Sequence, residues 1–380
     1  MAIRFRWSVA IGCLSTALGW VTAAAQAVRL VRPDVSLDRE FSDIRGVREL
    51  PDGRILVSDY RDQRVLIVDF DRRTATVRVS EGSGPLEARL PTALVPALGD
   101  STILVDLGNQ RLAMLDAEGR VGRTIAGDRP GLMGLRGVTP RGEYLFAIPG
   151  WAERDQALPD DSVRIVRWHP GTGAQQVVAV IQGERMRSDI RRPSLVPRIP
   201  VVGYGSRDGW LVDANGALRI VRGRGFQVET HRGGATPIVG PSYRYETTVV
   251  SKADRTAFVR DFLTRSPMSG RGEGGGMGFS PPVSDEQVIQ AVGGTEFAER
   301  HPMFEAGRLV VDPGGRLWVG RPARPGQPTR YDLFDQGGRM VATVELLPGR
   351  RVAAVGKRGV YLVAEGEDGV QFVERHPLPK

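Results

Sequence analysis

The sequence predicts an all-β fold, a six-bladed β-propeller with an N-terminal strand closing the last blade and a small α-helical insertion between blades four and five. Three observations carry this. Short apolar runs bounded by Gly, Pro, Asp and Asn recur from residue 44 to the C-terminus, the pattern of many short strands joined by tight turns. Six segments, GRILVSD, STILVDL, GEYLFAI, GWLVDAN, GRLWVGR and GVYLVAE, read as one strand repeated. Taking Ile55, Ile103, Tyr144, Trp210, Leu317 and Val360 as equivalent, the intervals are 48, 41, 66, 107 and 43 residues. Three match the roughly 40–50 residues of a four-stranded blade, and two carry insertions. Finally, SDYRDQRVLIVD (58–69) returns 47 residues later as VDLGNQRLAMLD (105–116).

Taken in order, residues 1–27 have a basic start (Arg4, Arg6), an apolar run from Trp7 to about Val21 and an Ala25-Gln26-Ala27 exit. That is the pattern of a secretory signal peptide cut after Ala27. The alternative, an uncleaved anchor, asks for a longer apolar run of ~20 residues. AVRLVRPDVSLDR follows, a strand-like segment with no blade of its own. The first unit then parses as strand IRGVREL, turn PDG, strand RILVSD, loop YRDQ, strand RVLIVDF, turn DRR and strand TATVRVSE. Its apolar runs are continuous rather than alternating, as expected where both faces pack between neighbouring blades. In the 107-residue interval, SKADRTAFVRDFL and SDEQVIQAV each begin with capping-box spacing, Ser251 with Asp254 and Ser284 with Gln287. Between them lies glycine-rich SGRGEGGGMGFSPP. We expect the insertion over about 236–302, as an ordered cap or a mobile loop. The last unit supplies only three strands before the chain ends, so the N-terminal segment is assigned as the sixth blade's outer strand. Such closure removes open sheet edges. Residues 28–380 then form a single domain, expected to be a monomer.

Composition narrows the function classes. Hydrophobic residues make up 41% of the 380, enough for a sizeable core, and 48 glycines with 26 prolines favour turns over long helices. The formal charge is +8, and removing residues 1–27 takes two arginines and no acids, leaving +6. This mild excess favours anionic partners, but no basic run interleaved with aromatics marks a nucleic-acid binder. Cys13 is the only cysteine and lies in the leader, so the mature chain has no disulfide, thiol nucleophile or Cys-based metal site. Export without cysteines suits a periplasmic or secreted protein with no stable membrane span after cleavage.

LPDGRILVSDYRDQRVLIVDFD resembles an NHL-type blade, with an Asp after the second strand and a polar loop ending in Asn-x-Arg before the third. Asn109-Gln110-Arg111 fits, and Asp62-Gln63-Arg64 fits with Asp for Asn. SEGSGPLEARLPTAL resembles the Gly-x-Gly-Pro-Gly-Glu linker of exported bacterial six-bladed propellers of the NHL-repeat-like, TolB-like superfamily, with Leu86 where the later glycine is usual; VVDPGGRLWVGR resembles the fifth blade of that family. The resemblance is clear over about 40–130, fair over 303–378 and loose between. It implies a six-bladed ring with a binding surface at one mouth of its channel, and it implies no particular reaction.

Several constellations are candidates for chemistry. Asp59 with Arg64, and Asp106 with Arg111, place an acid ending one strand opposite an arginine starting the next. Repetition in successive blades marks them as charge-assisted loop braces rather than a catalytic cluster, and Asp213 with Arg219 reads as a longer version. No catalytic residue and no metal site is assigned. His169, His231, His301 and His376 lack zinc spacing, no G-x-S-x-G occurs, and Gly270-x-Gly272-x-x-Gly275 has no preceding strand. Three long loops, 149–161, 183–200 and 320–330, are rich in arginine. Sharing a face, they would build a rim from Trp151, Arg154, Arg191, Arg192, Arg321 and Arg324, joined by Tyr60 and Arg61 of the first unit, suited to carboxylate, phosphate or sulfate groups. The expected function is therefore a non-catalytic scaffold binding a protein, glycan or small anionic ligand, with no cofactor. The alternative is a lactonase or hydrolase of the gluconolactonase–regucalcin (SMP-30-like) type, which would hold Ca²⁺ or Zn²⁺ through oxygen ligands at the channel mouth.

Overall fold

The computed structural model describes residues 26–129, 131–150, 161–184, 199, 201–265, 283–324, 326–366 and 368–379. Six antiparallel sheets follow one another along the chain. From the channel outward, blade one is built from Ile44–Glu49, Ile55–Asp59, Arg64–Asp69 and Thr74–Glu81, and blade two from Pro91–Pro96, Thr102–Asp106, Arg111–Leu115 and Val121–Ala126. Blade three comprises Leu135–Val138, Tyr144–Pro149, Ser162–Trp168 and Gln175–Gln182, and blade four Gly209–Val212, Leu218–Arg222, Gln227–His231 and Ile238–Ser242. Blade five comprises Leu309–Val311, Leu317–Gly320, Thr329–Phe334 and Met340–Leu346, and blade six Arg350–Val355, Val360–Glu365 and Gln371–His376.

There is no single core. Six apolar clusters lie one in each gap between neighbouring blades, including the gap where blade six meets blade one. In that last gap Tyr361, Val363 and Val373 pack on Val57, Leu66 and Val68. Each second strand is therefore covered on both faces: every residue of Ile55–Asp59, Thr102–Asp106 and Leu317–Gly320 is buried. This is why their apolar runs are unbroken, and why the outer Thr74–Glu81 strand, facing solvent, is polar and mostly exposed. The innermost strands touch in sequence around the ring, the sixth returning to the first. The chain is a six-bladed β-propeller.

Three sequence expectations are corrected here. Trp210 belongs to the first strand of blade four rather than the second; Leu218–Arg222 is the true equivalent of Ile55–Asp59. The turn after GWLV was mistaken for the loop after a second strand, because both begin with Asp. The insertion starts later than residue 236, since Ile238–Ser242 completes blade four, and it ends before Leu309, where blade five begins. The N-terminal segment is divided between two blades. Its first part, β1 (Gln26–Leu30), runs parallel along the outer strand of blade five, with Leu30 opposite Leu346. Val28 and Leu30 pack into the cluster between blades five and six, while Arg29 turns out to Glu345 at 3.0 Å. Pro33 cannot donate to a ladder, and beyond it β2 (Val35–Ser36) pairs with the third strand of blade six, Val35 opposite Arg375.

Between blades four and five lie helices α1 (Lys252–Arg265) and α2 (Asp285–Gly293). Both begin with the reciprocal caps that their sequences predict. The Ser251 hydroxyl receives the Asp254 amide at 3.1 Å and the Asp254 carboxylate receives the Ser251 amide at 2.8 Å; Ser284 and Gln287 repeat the exchange. The helices pack on each other and on Ile199 and Val201 of the segment leading to blade four. No helix among the described residues is long and apolar enough to cross a membrane.

Candidate ligand site at the ring mouth

In each blade the chain alternates direction, so two kinds of connection emerge at one end of the ring. They are the loop between second and third strands, and the link from the fourth strand to the next blade. At this end lie Tyr60 and Arg61 of blade one, Arg321 and Arg324 of blade five, and the helical insertion. Trp151, Arg154, Arg191 and Arg192 fall outside the described residues.

The repeated acid–arginine pairs are braces. Asp59 is fully buried and accepts the Ser42 and Asp43 amides, both at 3.1 Å, with Arg64 at 3.6 Å. Asp106, also fully buried, accepts the Arg89 amide and Arg111 Nε at 2.8 Å each, and Arg111 donates onward to the Gly84 and Glu87 carbonyls. Before each arginine a glutamine takes the left-handed conformation, Gln63 at φ 49° and Gln110 at φ 50°. The third member of that series is Phe226 at φ 37°, which shows where the repeat continues in blade four. It does not continue at Asp213 and Arg219. Asp213 closes the hairpin turn by accepting the Asn215 and Ala217 amides at 2.9 Å, while Arg219 reaches blade five, donating to the Gly315 and Asp335 carbonyls. Blade four inverts the brace instead. Arg222 stands where the acid should be, donating to Asp208 at 2.8 Å and to both oxygens of Glu229.

Arg321, expected on a binding rim, is another inverted brace. Its guanidinium forks onto both oxygens of Asp332, at 2.8 and 2.7 Å, and lies 3.9 Å over the Tyr245 ring. Arg324 is more open, 3.9 Å from Asp254. Tyr60 is buried, with Arg45 4.6 Å over its ring; burial pushes its hydroxyl pKa up against the opposing pull of Arg45, with a smaller push from Asp43. Arg61 is exposed.

The groups with free valences are elsewhere. The innermost strands of blades one and three read Ile44-Arg45-Gly46-Val47 and Leu135-Arg136-Gly137-Val138. In both, the ladder skips the arginine: Ile44 and Gly46 oppose adjacent residues, as do Leu135 and Gly137. A bulge of this kind re-aims the extra side chain out of the sheet. The following glycine is needed for packing, since a Cβ on Gly137 would meet Val212 at 2.3 Å. Arg45 is neutralised by Asp43 at 2.8 Å. Arg136 has no such partner: among the described residues it makes no hydrogen bond and no ion pair. It faces a cavity of about 430 Å³ where blades three, four and five meet under α1, lined also by Asp161, Ser162, Arg207, Trp210 and Phe262. Water reaches Arg136 within the channel, yet protein surrounds it, and this desolvation lowers its pKa from the ordinary value. Arg207 is lowered too, first by burial and then by repulsion from Arg136, against a smaller opposing pull from Glu305. Arg207 is ion-paired with Glu184, so Arg136 is the cation left over.

No family model matches the chain, and no curated protein matches it. Solved structures do. The ring is similar to those of several other proteins. A gluconolactonase from Xanthomonas campestris is 13% identical, over 94% of this chain and 99% of its own, with a TM-score of 0.43. The calcium-binding regucalcin from Agrobacterium tumefaciens gives 13% identity, the same coverage and 0.42. A DUF4221-family protein from Bacteroides vulgatus gives 9%, over 91% of this chain and 97% of its own, and 0.46. The activities named are those of the neighbours.

A second cavity of the propeller, about 440 Å³, lies between the blade-five loop and the arms of the insertion, lined by Tyr245, Thr247, His301, Met303, Arg321 and Gln327. Its cations are already engaged, Arg321 by Asp332 and Arg330 by Glu345. His301 lies 3.2 Å from Asp254, and its ring centroid is 4.4 Å from that of Tyr204 at a tilt of 59°. Among the described residues no three His, Cys, Asp or Glu side chains gather as a metal site. The cavity at Arg136 therefore offers the stronger candidate site. Sequence reasoning missed Arg136, Asp161, Ser162 and Arg207. The legible signal was the repeated Arg-Gly-Val, an arginine before a glycine in two innermost strands.

Proposed function

We propose that this propeller is a binding protein that takes a small anionic, partly apolar ligand into the cavity between blades three, four and five. The observation that carries the reading is Arg136, a guanidinium on a strand bulge that is exposed to the cavity and unpaired among the described residues. A carboxylate or phosphate would form charge-assisted, bidentate hydrogen bonds with it. Arg207 is neutralised by Glu184, and Trp210 and Phe262 supply an apolar wall. The volume lies in the ordinary range for small-ligand sites, roughly 300–1,000 Å³. The leader-like residues 1–27 place the activity outside the cytoplasm in this reading.

Calorimetric titration of the purified protein with small carboxylic and phosphoric acids bearing apolar groups tests it. Binding is expected for the wild type and a loss of about tenfold or more for Arg136→Gln, with Arg61→Gln unchanged. Equal binding by the Arg136 variant would overturn the reading. Lactone hydrolysis abolished by a chelator would replace it with the metal-dependent alternative.

A further inference from the structure

The polar groups around the Arg136 cavity are not all equivalent, and most have partners. Glu184 is ion-paired with Arg207. Asp208 accepts the Gln182 and Gly223 amides and Arg222. Two groups remain uncommitted and open among the described residues. The first is the Arg136 guanidinium. The second is the Asp161 carboxylate, whose residue is tied down only through its carbonyl, which receives the Gly183 amide at 2.6 Å. The neighbouring Ser162 hydroxyl also lacks a hydrogen-bond partner, but its oxygen is buried and closed to the cavity.

Resting on the anionic reading above, we infer that the ligand is a zwitterion, an apolar amino acid or short peptide carrying both a free amine and a free carboxylate. One ligand of this class satisfies both groups. Its carboxylate matches the planar fork of Arg136. Its ammonium is donor-only and needs oxygen acceptors; Asp161, on the cavity wall, supplies a carboxylate. Its side chain lies against Trp210 and Phe262. A simple anion would leave Asp161 opposing it. A simple cation would meet Arg136.

The test compares leucine, phenylalanine and the dipeptide leucyl-phenylalanine with their des-amino acids and decarboxylated amines, by calorimetry on the full chain. At least one zwitterion is expected to bind about tenfold or more tightly than both its matched acid and its matched amine. Asp161→Asn is expected to erase the preference over the acid while leaving binding of the acid in place, and Arg136→Gln to weaken both. Thermal melts of each variant show that the fold is retained. If the des-amino acids bind as tightly as the zwitterions, this inference falls and the anionic site stands. If neither the acids nor the zwitterions bind the wild type, both fall.

Discussion

At Asp106 a fully buried carboxylate is held by the Arg89 amide from the preceding inter-blade link, the Asn109 side chain and Arg111. Replacing it with alanine would strand Arg111 beside its two carbonyl acceptors and leave the Arg89 amide without a partner. Breaking a buried pair in this way costs about 3–5 kcal/mol, so urea denaturation of Asp106→Ala is expected to show a loss of that size. An exposed pair such as Arg120 with Asp116 is expected to show less than about 1 kcal/mol. The braces were legible because two copies share spacing and residue type. Arg321 was not: its partner Asp332 lies eleven residues on, across a proline-rich loop, and the order of charges is reversed. Arg136 escaped notice for another reason. Its role depends on a skipped ladder position, and a bulge leaves no mark in hydropathy.

Helix α1 carries a pH-sensitive element of its own. Burial alone would raise the Asp254 pKa, but the Ser251 hydroxyl and amide, together with His301, overcome this and hold it at about 2, below the ordinary 3.8. A depressed carboxylate stabilises the fold above its unfolded pKa and loses that contribution as pH falls through the folded value. Wild-type melting temperature is therefore expected to fall steeply between about pH 4 and pH 2, and Asp254→Asn to lie lower at neutral pH with a flatter slope through that window. Both helix starts were readable in the sequence, since capping boxes are local signals. The first strand of blade four was harder to place. Gly209–Val212 and a true second strand share a glycine, an aromatic or aliphatic run and a terminal Asp, and only pairing partners separate them.

For the whole molecule, stability is distributed over six inter-blade gaps, so no blade is complete without its neighbours. The number of blades was legible from the repeat, and the division of the N-terminal segment was not, because Val28 and Leu30 suit any outer edge equally well. Deleting residues 26–36 would take Leu30 and Val28 from the gap between blades five and six and bare two sheet edges. The side chains alone account for about 3 kcal/mol. A lower denaturant midpoint, with self-association visible by ultracentrifugation, is the expected result.

The split N-terminal clasp also has a temporal side. Val35 pairs with Arg375, and Val28 with Val344, so the first part of the ring to leave the ribosome docks on the last parts to be made. Through nearly the whole of synthesis this segment has nowhere to go. Contacts of such sequence separation are slow to form, which makes docking of the N-terminal strands the final event in assembly. A nascent chain halted before blade six would leave that apolar segment available to chaperones or to another copy.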